Sequence, residues 1–83
     1  MINFTIYIEA KIQDAIVERI LRTVRHRGYQ LRGMELAVHG AAYSMTLTLA
    51  GTRGEPYLVK QLEKLVDVES VTSQSEVKYA KTA

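Results

Sequence analysis

Ile2-Asn3-Phe4-Thr5-Ile6-Tyr7-Ile8 is followed a few residues later by Asp14-Ala15-Ile16-Val17-Glu18-Arg19-Ile20-Leu21-Arg22-Thr23-Val24-Arg25-His26-Arg27-Gly28. The apolar period changes between these two stretches, and that change decides the fold. In the first, Ile2, Phe4, Ile6 and Ile8 share one face and Asn3, Thr5, Tyr7 and Glu9 the other. Successive strand side chains point to opposite faces, so this is a half-buried strand. In the second, Ile16, Val17, Ile20, Leu21 and Val24 recur at helical spacing as one stripe. Asp14 stands where a side chain can cap the free N–H groups, and Glu18 precedes Arg22 by one turn in the favourable order. Arg25-His26-Arg27 brings positive charge to the carbonyl end, and Gly28 offers the left-handed conformation that closes a helix.

Outward from this unit, Tyr29-Gln30-Leu31 resumes an extended pattern, and Met34, Leu36 and Val38 alternate with Glu35, Ala37 and His39. Gly33 inside that run marks a bulge or a close backbone approach. His39-Gly40-Ala41-Ala42 is the expected hairpin turn. A third strand puts Tyr43, Met45, Leu47 and Leu49 inward and Ser44, Thr46 and Thr48 outward. Gly51-Thr52-Arg53-Gly54 breaks the pattern, and Glu55-Pro56 opens a second helix, because proline is tolerated where an N–H has no partner. Leu58, Leu62 and Leu65, with Val66 beside them, form its apolar stripe. Val68 and Val71 begin a last strand running to about Tyr79, placed at an edge, and Ala80-Lys81-Thr82-Ala83 is expected to fray.

The order strand–helix–strand–strand–helix–strand is that of the α+β ferredoxin-like βαββαβ sandwich, a four-stranded antiparallel sheet with both helices on one face. Right-handed crossovers place strands one and three in the centre and strands two and four at the edges. Residues 1–79 read as a single domain, with 80–83 as its tail. Hydrophobic residues make up 47% of the 83, yet so short a chain buries a modest core of its own. With no Cys and two His, neither disulfides nor a metal would supplement that core, so oligomerisation is the expectation. The absence of Cys fits a reducing compartment. No signal segment and no apolar run near the ~20 residues of a membrane span are visible, which points to a soluble, cytoplasmic protein without membrane contact.

The net charge is only +2, but Arg19, Arg22, Arg25, Arg27 and Arg32 stand with His26 in a stretch that has no acidic residue. Such clustering marks a binding surface, or else a solvated helix face whose basic end complements the helix dipole. Catalytic constellations are harder to find. Ser44, Ser70, Ser73 and Ser75 have no neighbouring base in sequence, and His26 and His39 lack metal-ligand spacing. Glu9, Glu35, Asp67 and Glu69 are not paired by the sequence. Gly51-Thr52-Arg53-Gly54 lacks the lysine of a phosphate-binding loop. RNA readers of this shape stack bases on aromatics of the central strands. Here the third strand carries no basic residue and Tyr7 stands alone on the outer face, so nucleic acid is disfavoured. Ala10-Lys11-Ile12-Gln13-Asp14 also lacks the arginine-bearing anion loop of an acylphosphatase.

Two runs carry a family resemblance over nearly the whole chain. Leu21-Arg22-Thr23-Val24-Arg25-His26-Arg27-Gly28-Tyr29 resembles the helix-to-strand segment of ACT domains, especially that of the small regulatory subunits of acetolactate synthase of the short isozyme II type. Glu63-Lys64-Leu65-Val66-Asp67-Val68 is similar to the end of the second helix in those subunits. The resemblance implies a non-catalytic partner of a large subunit that carries thiamine diphosphate, FAD and magnesium. That large subunit condenses pyruvate with a second 2-keto acid in branched-chain amino acid synthesis, so no cofactor is expected on this chain. The small subunit raises and stabilises the activity, and in several isozymes it carries valine feedback. Valine-sensitive relatives place Asn-x-x-Gly at the strand-one to helix-one junction. The matching positions here are Ile12 and Ala15, within an effector-loop candidate formed by Ile12, Gln13, Asp14 and Ala15, so weak or absent valine response is expected.

ACT domains often dimerise through strand two into one eight-stranded sheet. Leu31, Met34, Leu36 and Val38 are therefore the candidates for a homodimer edge. Arg25, His26, Arg27 and Arg32 are the candidates for contact with the large subunit. Two other functions stay open from the residues themselves. One is a stand-alone ACT domain binding a small amino acid. The other is a small nucleic-acid-binding protein using the arginine cluster.

Overall fold

The computed structural model describes residues 1–73. The elements are β1 (Ile2–Lys11), α1 (Ile16–His26), β2 (Gln30–His39), β3 (Ala42–Gly51), α2 (Glu55–Glu63) and β4 (Val68–Ser73). All neighbouring strands pair antiparallel in the order β2-β3-β1-β4, so β1 and β3 are central and β2 and β4 are edges, as the crossover argument requires. The expected continuation of the last strand to Tyr79, Ser75 within it, and the tail 80–83 lie outside the described residues.

One face of the sheet carries the core. Phe4, Ile6, Ile8 and Ala10 of β1 meet Met45, Leu47 and Leu49 of β3, and Ile16, Ile20 and Val24 of α1 close over them with Leu58 and Leu62 of α2. Val17, Leu21, Tyr43, Leu65, Val68 and Val71 pack around the margin. Fully burying one such aliphatic side chain stabilises the fold by about 1.5–3 kcal/mol. Ile2 shares the inward register but is exposed, at the end of β1 where it pairs with Gly51, the last residue of β3. Val66, read as part of the second stripe, is 89% exposed. The helix stops at Glu63, which leaves Val66 in the turn into β4.

α1 ends as its sequence specifies. Gly28 takes φ 89°, its N–H donates to the Arg25 carbonyl, and the Tyr29 N–H donates to the Val24 carbonyl. This pair of bonds is a Schellman motif, and its accompanying apolar contact sends Tyr29 into the core beside Val24. The start of α1 departs from expectation. Asp14 does not cap it: the helix begins at Ile16, the cap position is Ala15, and no side chain bonds the free N–H groups. Asp14 comes one residue too early, because the chain leaving β1 uses Asp14 and Ala15 to turn. Acidic charge in the first turn is supplied by Glu18 instead. α2 starts as read, with Pro56 in its first turn. The β2 register skips one residue between Leu31 and Gly33, which is the bulge expected at Gly33, and the extra residue is Arg32.

Tyr29 joins three elements at one point. It is almost fully buried, and its ring meets Phe4 edge-on at 5.7 Å and 87°. Its hydroxyl donates to the Gly54 carbonyl at 3.1 Å, and burial pushes the phenol above its ordinary value, so it stays a protonated donor. The ring also lies against Gly51, where a Cβ would stand 2.5 Å from Cδ1. Because the ring is held at both ends it cannot swing aside. Gly51→Ala is therefore expected to destabilise the fold by about 1–3 kcal/mol through overpacking, read as a lower urea midpoint.

Candidate functional site

Three surfaces stand out, the second and third meeting at Arg25. The first is the β1–α1 junction. The Ile12 N–H reaches the Ala41 carbonyl at 3.4 Å, which ties the junction to the β2–β3 hairpin. The Ile16 N–H donates to the Gln13 carbonyl at 3.3 Å, closing the turn before the helix. An open groove of about 420 Å³ lies here, lined by Lys11, Ile12, Gln13, Ala41, Ala42 and Glu69. Ile12, Gln13, Asp14 and Ala15 are all exposed, so this candidate loop is assembled and reachable. Ala15 has φ 65° and ψ 7°, the left-handed conformation at a residue that carries a Cβ. That geometry costs an L residue roughly 1–2 kcal/mol.

The second surface is the edge strand. Met34, Leu36 and Val38 pair with Leu47, Met45 and Tyr43 and so face the helix side, while Leu31 pairs with Leu49 before the bulge. All four are nevertheless exposed, from 42% at Met34 and Leu36 to 63% at Val38. The reason lies in the layout: the buried residues of α1 and α2 pack with those of β1 and β3, and β2 contributes no buried residue to that core. A groove of about 320 Å³ runs between them, lined by Glu18, Leu21, Val24, Arg25 and Leu31. An open strand edge thus coincides with an apolar strip.

The third is the basic end of α1, which the fold divides. Arg25 lines the α1–β2 groove, His26 is the exposed last residue of α1, and Arg32 is the bulged residue of β2. Arg27 turns the other way. Its Nη1 donates to the Tyr57 hydroxyl at 3.3 Å, and the Arg53 guanidinium lies 4.3 Å from the centre of the same ring. Desolvation is the largest single influence and raises the Tyr57 pKa, but the charges and hydrogen bonds of Arg27 and Arg53 together outweigh it and leave the phenol below its ordinary value. Neither Arg53 nor Tyr57 was singled out by the sequence, because they lie 26 or more residues beyond Arg27 and no motif links them. Among the described residues, no group of three His, Cys, Asp or Glu side chains could hold a metal ion. Nor is any described helix long and apolar enough to cross a membrane.

Comparison with known proteins decides the family. The ACT domain family matches residues 13–71. The chain is also 37% identical over 73 residues to the acetolactate synthase isozyme 2 small subunit of Escherichia coli strain K12, spanning 86% of this chain and 84% of that one. The chain belongs to the ACT-domain small subunits of acetolactate synthase. The same identity and coverage hold for the isozyme 2 small subunit of Shigella flexneri. The ACT domain of the GTP pyrophosphokinase of Chlorobium tepidum superposes with TM-score 0.74 at 15% identity, over 86% of this chain and 95% of that one. An ACT domain protein of Streptococcus pneumoniae gives 0.71 at 14% identity, over 90% and 92%. At such low identities these two structures speak to the fold alone. As a member of this family, the chain is a regulatory ACT-domain subunit rather than a catalytic one.

Within the ACT domain the Ala15 conformation is directly testable. Glycine takes φ near 65° without a Cβ clash, so Ala15→Gly is expected to stabilise the chain by about 0.5–1 kcal/mol, measured by chemical denaturation.

Proposed function

We propose that this chain activates and stabilises the catalytic large subunit of acetolactate synthase in branched-chain amino acid biosynthesis. The observation that carries the reading is 37% identity to an acetolactate synthase isozyme 2 small subunit over most of both chains. In this reading thiamine diphosphate, FAD and magnesium reside on the large subunit, and the complex works in the cytoplasm. The small subunit acts as a homodimer through β2. Support for that comes from an open edge flanked by Leu31, Met34, Leu36 and Val38, an apolar strip that a second copy would take out of water. Adding the purified chain to the isolated large subunit should raise acetolactate formation several-fold and slow its loss on incubation. The chain alone should sediment at twice its 9.4 kDa mass. An unchanged rate of acetolactate formation would refute the activator role.

Valine response is weak or absent in this reading. Ile12 puts an apolar side chain where an amino acid ligand wants a polar one, and Ala15 adds a Cβ where close backbone approach is needed. A calorimetric titration with valine should give no saturable heat below millimolar concentration. A micromolar dissociation constant would overturn the expectation.

A further inference from the structure

Two guanidinium groups 26 residues apart in the sequence meet at one phenol. Arg27 is the C-cap that follows α1 and Arg53 lies in the loop before α2, yet the first donates to the Tyr57 hydroxyl at 3.3 Å and the second stacks 4.3 Å over the ring. The placement is built. The Tyr29 hydroxyl holds the Gly54 carbonyl at 3.1 Å, which anchors the loop that carries Arg53 and opens α2. Tyr57 then sits in the first turn of α2, where the helix dipole adds positive potential. Among the described residues neither arginine is paired with a carboxylate, and both are exposed. Glu55, the nearest acid in sequence, acts instead on the Tyr29 phenol, whose pKa it helps to raise. Arg27 is not spent on the terminal carbonyls of its own helix, as simple dipole compensation would have it; its one side-chain bond crosses to α2.

Each guanidinium is a planar fork of five donors suited to a carboxylate, and a phenol that already accepts from Arg27 keeps its own O–H to donate. The two guanidiniums stand exposed beside the phenol, and most of the unused polar capacity of the cluster is donor capacity. We propose that Arg27, Arg53 and Tyr57 form a clamp for a single carboxylate side chain, an aspartate or glutamate on the surface of the large subunit. This rests on the activator reading above and names the chemistry of its contact. A compact cluster of two cations around one ring suits one carboxylate rather than a polyanion backbone, which would need a track of cations to gain affinity. Arg19 and Arg22, on the outer side of α1, do not join the cluster.

The test is a binding titration of the large subunit with the full chain and two paired variants, followed by calorimetry and by acetolactate formation. Arg27→Gln with Arg53→Gln removes the clamp. Arg19→Gln with Arg22→Gln removes the same charge from the exposed face of α1. The clamp pair is expected to lose at least about tenfold in affinity, a magnitude usual for a charge-assisted contact at an interface, and the control pair less than twofold. Tyr57→Phe, which keeps the ring under Arg53, should lose less than the clamp pair, and circular dichroism melts establish that each variant is folded. Equal affinity of the clamp pair and the unaltered chain overturns the clamp and leaves the activator reading intact. Equal losses in both pairs also overturn it, since the effect is then general charge. If the unaltered chain does not bind the large subunit at all, both fall.

Discussion

The burial of one tyrosine against one glycine organises this domain. Tyr29 leaves α1 through a Schellman turn and enters the core, where its ring occupies the space that a side chain at residue 51 would need. Its hydroxyl then ends on the Gly54 carbonyl, so the exit of α1, the end of β3 and the entry of α2 are held at one point. A buried hydroxyl without a partner would cost about 1–3 kcal/mol, so the ring and the loop constrain each other. The position of α2 over the sheet, and with it the placement of Tyr57 beside Arg27, follows from that contact.

The two-helix cover explains where the domain is left open. α1 bridges β1 to β2 and α2 bridges β3 to β4, and their buried side chains pack with those of the central strands. Edge strand β2 therefore keeps an inward-patterned apolar face that is largely uncovered, with α1 reaching it only along the groove at Leu31. That exposed strip is the physical ground for proposing completion by a second chain. The same layout separates the functional surfaces, with the β1–α1 loop and hairpin at one place, the α1–β2 groove at another, and the Arg27–Tyr57–Arg53 cluster beside the start of α2.

Ala15 shows how local sequence rules yield to chain geometry. Asp14 has the chemistry of a cap, but a turn of the chain is needed after Lys11 and it consumes Asp14 and Ala15 before the helix can begin. The residue that ends up at the cap has no polar side chain and holds a left-handed conformation. Strain at this loop sits where related ACT subunits are expected to meet an effector, and here the groove beside it is lined by the apolar Ile12, Ala41 and Ala42 as well as by polar residues.

Much of the fold was legible in the residues taken alone. A period of two followed by a helical stripe fixes the type of each element, and both are local properties set by where successive Cβ atoms point. Gly28, Gly33 and Pro56 likewise marked a helix end, a bulge and a helix start, because a missing Cβ or a missing N–H is a local property written in one position. The family, too, was readable from the Arg-His-Arg-Gly-Tyr run and the Lys-Leu-Val-Asp-Val run. What local pattern does not carry is which apolar face finds a cover and which side chains meet across the chain. Only the tertiary structure left Leu36 and Val38 exposed while burying Leu47, and sent Val66 into a turn. Only it parted Arg27 from Arg25 and brought it to Tyr57 and Arg53. Those outcomes depend on the packing angle of two helices over four strands, a long-range quantity to which no single stretch of sequence has access.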